Sequence, residues 1–250
     1  MTRKTKDRVL LVVIILALWK GLTQFGNLDA LLYPSPETVA GLLWEDRALF
    51  LESLRSSFVL LIGGGLLAVI TAIPLGLVVG WYRRLYEVAE PLMNLLGPVP
   101  PIVYIPYAIA LLPTFQGASI FIIFIGAFWP LFLNTVIGVR GVERGLLYSA
   151  RTLGVSQVTM LWRILLPGAL PQIFAGGMIS LVMSFILLTA AEMIGATSGL
   201  GWYVKNFADF ADYPRVVAGI VVIGAVVSVL LIFYNALQSY LLRWRPVRRD

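Results

Sequence analysis

The sequence predicts an all-α integral membrane protein with six transmembrane helices. Apolar residues make up 59% of the chain, charged residues make up 13%, and the mean hydropathy is +0.89. An ordinary soluble domain carries about 25% charged residues. A chain of 250 residues has room for about six spans of roughly 20 residues joined by short loops. Residues 1–250 are therefore predicted to form a single transmembrane domain.

Uncharged runs locate the spans. Asp, Glu, Lys and Arg are absent from four stretches: 56–82, 91–139, 164–191 and 216–242. The second stretch is too long for one crossing, and it contains a Pro/Gly turn signal at 112–117. We expect spans near residues 9–25, 56–82, 91–111, 117–139, 167–192 and 216–242. The first of these also has the basic start and short apolar core of a signal peptide, but no clear Ala-x-Ala cleavage site follows it.

The basic residues predict the orientation. If the N-terminus is cytoplasmic, the inside segments collect 14 of the 19 Lys and Arg residues: Arg3, Lys4, Lys6, Arg8, Arg83, Arg84, Arg140, Arg144, Arg151, Arg163, Arg243, Arg245, Arg248 and Arg249. Cytoplasmic loops of membrane proteins carry this excess of positive charge. Both termini are therefore predicted to be cytoplasmic. The net charge of +6 is explained as an orientation signal, and no nucleic-acid partner is predicted.

The residue types present argue against chemistry within this chain. The chain has no Cys and no His, so thiolate ligands, the commonest metal ligand and the usual neutral-pH base are all missing. No Gly-x-x-x-x-Gly-Lys phosphate loop occurs. We predict no catalytic residue, no metal site and no bound cofactor. An intramembrane enzyme is an alternative class, but its nucleophile or metal set is hard to assemble from these residues.

A polar, Arg-bearing stretch lies between the fourth and fifth predicted spans. Residues 143–155 are too polar for lipid and favour helix, so we expect a short helix at the cytoplasmic face that a neighbouring subunit grips. Gly154 is suited to end this helix in a left-handed conformation. Pro167 is suited to start the next helix, where its missing N–H costs nothing. The alternative is an ordinary intracellular loop between two spans.

The spacing of this stretch resembles the coupling loop of ABC-type importer permeases, which reads Glu-Ala-Ala, three residues, Gly, nine residues, then Ile-x-Leu-Pro. Five residues fall on that spacing: Ala150, Gly154, Ile164, Leu166 and Pro167. Tyr148 and Ser149 replace the first two residues of the pattern. Ala191-Glu192-Met193 and the Ser-Gly-Leu-Gly segment at 198–201 are similar to the nitrate, sulfonate and taurine branch of this family.

The resemblance implies a type I ABC importer permease with six transmembrane helices and a short cytoplasmic coupling helix, in the inner membrane of a prokaryotic cell. It implies a homodimer that binds two ABC ATPase subunits, which use ATP and Mg²⁺, and an extracytoplasmic solute-binding protein. The solute would be small, such as nitrate, a sulfonate or taurine. The residues implied in ATPase coupling are Tyr148, Ala150, Arg151, Gly154, Ile164, Leu166 and Pro167.

Several residues are candidates for the translocation pathway: Pro101, Tyr104, Tyr107, Asn134 and Glu192. Between positions 98 and 106 the third span carries four prolines, which disfavour a straight helix and free carbonyls that need protein or cavity water as partners. A purely structural kink is the alternative. Glu192 is the only acidic residue within a predicted span, and such a group usually faces a cavity or a partner. It has a structural alternative, in which the backbone of the Gly195–Gly201 turn binds its carboxylate. A proton-coupled secondary transporter would also need such a carboxylate, and this class stays open as an alternative.

Overall fold

The computed structural model describes residues 3–26, 29 and 31–244, and this part of the chain is helical with no strand. The α-helices are α1 (Arg3–Phe25), α2 (Pro36–Glu45), α3 (Arg47–Trp81), α4 (Arg83–Leu96), α5 (Ile105–Leu111), α6 (Phe115–Arg140), α7 (Arg144–Thr152), α8 (Gln157–Thr159), α9 (Leu166–Gly195), α10 (Leu200–Asp209) and α11 (Tyr213–Leu241). A 3-10 turn, Pro101–Tyr104, precedes α5. A π-helical turn, Met160–Leu165, joins α8 to α9.

Four helices among the described residues are long and apolar enough to cross a membrane by themselves: α3, α6, the continuous helix Gln157–Gly195 and α11. The pair Arg83–Leu96 and Pro101–Leu111 passes the same test together but is bent by 78°. The first predicted span corresponds to a shorter apolar helix, Leu10–Phe25. Arg245, Arg248 and Arg249, which were counted for the orientation, lie outside the described residues.

The third predicted span, 91–111, does not form one helix. Its helix begins earlier, at Arg83, and ends at Leu96, after which the chain is extended at Pro100 and turns through Pro101–Tyr104. Proline removes a backbone donor and pushes the preceding residue out of the helical region, so the prolines at 98, 100 and 101 break the helix.

The bent pair runs alongside α6. At one end the Arg140 guanidinium lies 3.7 Å from the centroid of the Tyr86 ring. Further along, a Cβ added at Gly126 would lie 3.9 Å from the Pro101 Cβ. These two points are about 21 Å apart along α6 at roughly 1.5 Å per residue. The pair therefore advances antiparallel to α6 as one broken span, which differs from a re-entrant loop that returns to the same side.

Close packing of α3 on α6 depends on glycine. A Cβ added at Gly76 would lie 2.6 Å from the Thr135 Cβ, and one at Gly80 would lie 2.8 Å from the Val139 Cβ. Both distances are too short for real carbon atoms, so larger residues would push the helices apart. The Gly-x-x-x-Gly pair serves helix packing within the chain, as such pairs commonly do in membranes.

The chain forms two compact units, one of residues 1–57 and 192–226 and the other of residues 58–191 and 227–250. The buried core of the first unit contains Val39, Phe50, Leu200, Tyr203 and Ala218. The second unit has a larger core around α3, α6 and α9, which includes Leu77, Val136, Ala150, Leu165 and Ala169. The candidate coupling segment belongs to the second unit, and Glu192 belongs to the first.

Candidate functional site

The predicted short helix in 143–155 forms as α7 and ends as the sequence predicts. Gly154 has φ +67°, which is the left-handed region. The Val155 N–H donates to the Ala150 carbonyl at 3.2 Å, and the Gly154 N–H donates to the Arg151 carbonyl at 3.0 Å. This pair of bonds is the Schellman arrangement, which satisfies the last carbonyls of a helix. The predicted left-handed cap at Gly154 is confirmed.

α7 is fixed to its own unit by few side chains. Ala150 is 5% exposed and lies in the larger core. The Arg151 guanidinium lies 5.2 Å from the centroid of the Trp81 ring, and the Trp81 Nε1–H donates to the Gln157 Oε1 at 2.9 Å. Trp81 thus ties the end of α3 to the residues on both sides of Gly154, and it defines the position of the coupling segment.

The prediction that Pro167 starts a helix is wrong. The helix begins ten residues earlier at Gln157, where the Ser156 Oγ accepts from the Thr159 N–H at 3.3 Å. Pro167 lies inside the continuous helix, two residues after the π-helical turn Met160–Leu165 ends. A proline clashes with the carbonyl four residues before it, here that of Arg163, and the wider π turn contains that residue.

The predicted coupling residues divide by exposure. Tyr148, Arg151 and Gly154 are exposed, whereas Ala150 is buried and Ile164, Leu166 and Pro167 are partly buried. The residues that match the sequence pattern therefore include some that pack in the interior and some that are available for contact. Further exposed apolar residues were missed by the sequence analysis: Leu146, Leu153, Val158 and Trp162. Their occurrence as large apolar residues within a polar loop is the sequence feature that could have identified them.

Glu192 lies in the last turn of α9 and is 1% exposed. Its Oε1 accepts a hydrogen bond from the Ser57 hydroxyl at 2.6 Å, and its Oε2 accepts from the Gly201 N–H at 2.7 Å. The backbone hydrogen bond of the structural alternative is therefore present. Ser57, which the sequence analysis did not single out, also accepts from the Leu200 N–H at 3.0 Å.

The other pathway candidates lie in two places within the second unit. Tyr104 and Tyr107 line one cavity of about 310 Å³ together with Phe121, and Pro101 opens the 3-10 turn before them. Asn134 does not line this cavity. Its Nδ2–H donates to the Pro130 carbonyl at 2.8 Å, and its Oδ1 accepts from the Gln172 Nε2–H at 2.8 Å, so its amide joins α6 to α9.

Comparison with known proteins identifies the family. The family described as binding-protein-dependent transport system inner membrane component matches residues 72–245. The chain belongs to this family. It is the membrane-spanning permease subunit of an ABC importer, and the family and function predicted from the coupling loop are confirmed. Membership implies an ATPase and a solute-binding protein as partners.

Individual relatives are similar in sequence to this permease over most of its length. The Escherichia coli taurine transport system permease protein TauC is 30% identical over 240 residues, which are 93% of this chain and 87% of the relative. The Leptolyngbya laminosa nitrate import permease protein NrtB is 32% identical over 209 residues, covering 84% of this chain and 71% of the relative. A solved inward-facing structure of the MetNI methionine ABC transporter matches with a TM-score of 0.68 at 16% identity, covering 79% of this chain and 98% of that chain. The permease has the type I importer fold that the sequence predicts.

Proposed function

We propose that this permease imports a small oxyanion or sulfonate, with nitrate and taurine as representatives, and that ATP is hydrolysed on a separate ATPase subunit. The taurine and nitrate permeases among its relatives support this solute class. The complex contains two copies of this chain, two ATPases and one extracytoplasmic solute-binding protein. This chain binds no cofactor, and the ATPases use ATP and Mg²⁺.

The observation that carries the proposed partnership with an ATPase is the exposed apolar surface of the coupling segment, residues 143–155. Tyr148 is 60% exposed and Leu153 is 81% exposed, although Ala150 between them is buried in the core. Large apolar side chains displayed on a rigid, capped helix outside the membrane spans are typical of a protein-protein contact. We assign this surface to the ATPase.

The position of the coupling segment supports a direct mechanical role. α6 ends at Arg140 immediately before it, and the continuous helix Gln157–Gly195 begins immediately after it. Closure of the ATPases around ATP would displace residues 143–155, and the displacement would pass to both crossing helices without a flexible linker. The pathway then alternates between inward-open and outward-open states, with Tyr104 and Tyr107 placed along it.

Reconstitution tests the function. Proteoliposomes containing permease, ATPase, binding protein and ATP should accumulate radiolabelled taurine or nitrate against a gradient, whereas permease alone should show neither ATP hydrolysis nor transport. Uphill uptake by the permease alone under a proton gradient would show a secondary transporter instead. Competition between taurine, nitrate and a neutral aromatic solute decides the solute class.

Cysteine labelling tests the orientation, since the chain has no native Cys. We propose that both termini are cytoplasmic. Cysteines placed at Ser35 and Lys205 should react with an impermeant reagent from outside intact cells. A cysteine at Ser156 should react only after the membrane is opened. Outside labelling at Ser156 would contradict the proposed orientation.

A further inference from the structure

We infer that Glu192 is a positioning residue of the transport cycle, because its buried carboxylate fastens α10 to the outer end of α9 so that the two helices move together. The inference rests on the proposed function and assigns a role to a residue outside the coupling segment. It replaces the view of Glu192 as a group that touches the solute.

The first argument is the set of hydrogen bonds. The first two N–H groups of α10 are both bound by side chains from other helices: that of Leu200 by the Ser57 hydroxyl and that of Gly201 by the Glu192 carboxylate. Ser57 in turn donates to the same carboxylate. Helix N-termini present unpaired N–H groups and a partial positive charge, so an anion there forms strong, charge-assisted bonds.

The second argument is the fit of the backbone around the carboxylate. Gly199, which precedes α10, has φ +124°, and a Cβ added there would collide with the Glu192 carboxylate. A second contact holds the same turn, a hydrogen bond between the Ser198 and Ser56 hydroxyls, whose oxygens lie 2.8 Å apart. A glycine is therefore required both by its conformation and by the space that the carboxylate occupies. The chain is built to close around this side chain.

The third argument is the location of Glu192 on its helix. The helix Gln157–Gly195 is 39 residues long, or about 58 Å at roughly 1.5 Å per residue. Its first residue follows the coupling segment, and Glu192 lies in its last turn. Because a buried carboxylate that lost these partners would be left without hydrogen bonds, the contact stays closed while α9 moves. Displacement that starts at the coupling segment is thereby passed to α10, which lies outside the spans on the face proposed to meet the binding protein.

Thermodynamic coupling is reciprocal, so the same contact carries the effect of the binding protein back to the ATPase. Glu192→Ala should therefore leave the basal ATP hydrolysis of the reconstituted complex within about twofold of normal. Stimulation by solute-loaded binding protein should fall at least about fivefold, which is the lower end of ordinary allosteric coupling. Gly199→Ala places a methyl group against the Glu192 carboxylate. It should likewise lower the stimulated rate of ATP hydrolysis and leave the basal rate nearly normal.

Milder variants keep the test valid if Glu192→Ala fails to assemble. Ser57→Ala removes one donor to the carboxylate and should reduce stimulation in the same direction by less. Glu192→Gln keeps a carbonyl acceptor and should retain part of the stimulation. Glu37→Gln is the matched control, since Glu37 is exposed and pairs with the Lys20 ammonium away from the Glu192 contact.

Two outcomes would overturn the inference: normal stimulation in Glu192→Ala and Gly199→Ala, or an equal loss of basal and stimulated hydrolysis in Ser57→Ala and Glu192→Gln. The second outcome would indicate a role in stability alone. The wild-type complex separates this failure from that of the proposed function. If wild-type hydrolysis does not respond to any binding protein and solute, the proposed function itself is wrong.

Discussion

The coupling segment and the region around α10 are both short helical segments outside the membrane spans, but they are stabilised in opposite ways. α7 is held by buried Ala150, partly buried Leu147, a backbone cap and Arg151 over the Trp81 ring, while its Leu146 and Tyr148 are exposed. α10 is held by hydrogen bonds to Ser57, Glu192 and Asp46 of its own chain, and Tyr203 is 0% exposed. The difference is what our proposal requires, in which another protein covers α7, whereas α10 is completed within the permease.

Arg215 illustrates how charged groups in the region around α10 are paired within the chain. Its guanidinium donates to the carboxylates of Glu45, Asp46 and Asp212 at 2.8, 2.9 and 2.9 Å. The Tyr203 hydroxyl donates to Asp46 at 2.7 Å. Burial, together with the adjacent Asp46 carboxylate, holds the pKa of the Tyr203 phenol above its usual value, so this hydroxyl remains a donor at physiological pH.

The largest expected effect is at Gly154. Gly154→Val should abolish stimulated ATP hydrolysis and weaken ATPase binding while the permease still inserts and dimerises. A Cβ at this position meets nothing within 4 Å, so the cost comes from the left-handed backbone alone, about 1–2 kcal/mol, and is relieved by unwinding the end of α7. Pull-down and reconstituted ATPase assays measure both effects.

Two variants control this prediction. Gly154→Asn should retain part of the coupling, because asparagine adopts the left-handed conformation more readily than valine. Gly145→Ala lies within α7, has no short contact, and should leave coupling intact. Normal ATPase binding and normal stimulated hydrolysis in Gly154→Val would show that 143–155 is not the coupling element.

A second prediction tests the exposed surface itself. Leu153→Asp should weaken ATPase binding at least about tenfold, as expected when an apolar contact residue is replaced by a charge, without lowering thermal stability. Phe210→Asp is the matched control in the other region, because Phe210 is 78% exposed and follows α10. If both variants bind the ATPase normally, the apolar surface of α7 is not the contact.

The two regions also differ in how far the sequence predicts them. The cap at Gly154 was predicted, because it depends on neighbouring residues along the chain. The Arg215–Asp46 ion pair and the role of Ser57 were not, because in each case the partner lies more than 130 residues away in sequence. Pro167 was misplaced, since a π-helical turn that accommodates a proline leaves no periodic signal.

A third prediction concerns stability without coupling. Arg215→Ala leaves three neighbouring carboxylates without their shared partner, and we expect it to lower the unfolding free energy by about 1–3 kcal/mol, between the values for exposed and buried pairs. ATPase binding should remain normal. Lys205→Ala, which breaks an exposed pair with Asp209, should cost no more than about 0.5 kcal/mol. Thermal denaturation in detergent measures both, and equal losses would contradict the central role of Arg215.

The smallest predicted effect compares one serine cap from each region. The Ser35 Oγ accepts from the Thr38 N–H at 3.2 Å, and the Ser156 Oγ accepts from the Thr159 N–H at 3.3 Å. Loss of either cap should cost about 1 kcal/mol of stability. Ser35→Ala should have no other effect, because α2 is completed by its own unit. Ser156→Ala should also reduce stimulated ATP hydrolysis, because fraying at Gln157 removes the partner of Trp81 and loosens the proposed ATPase contact. If the two variants lose equal stability and neither changes stimulation, the start of the Gln157–Gly195 helix does not carry the coupling displacement.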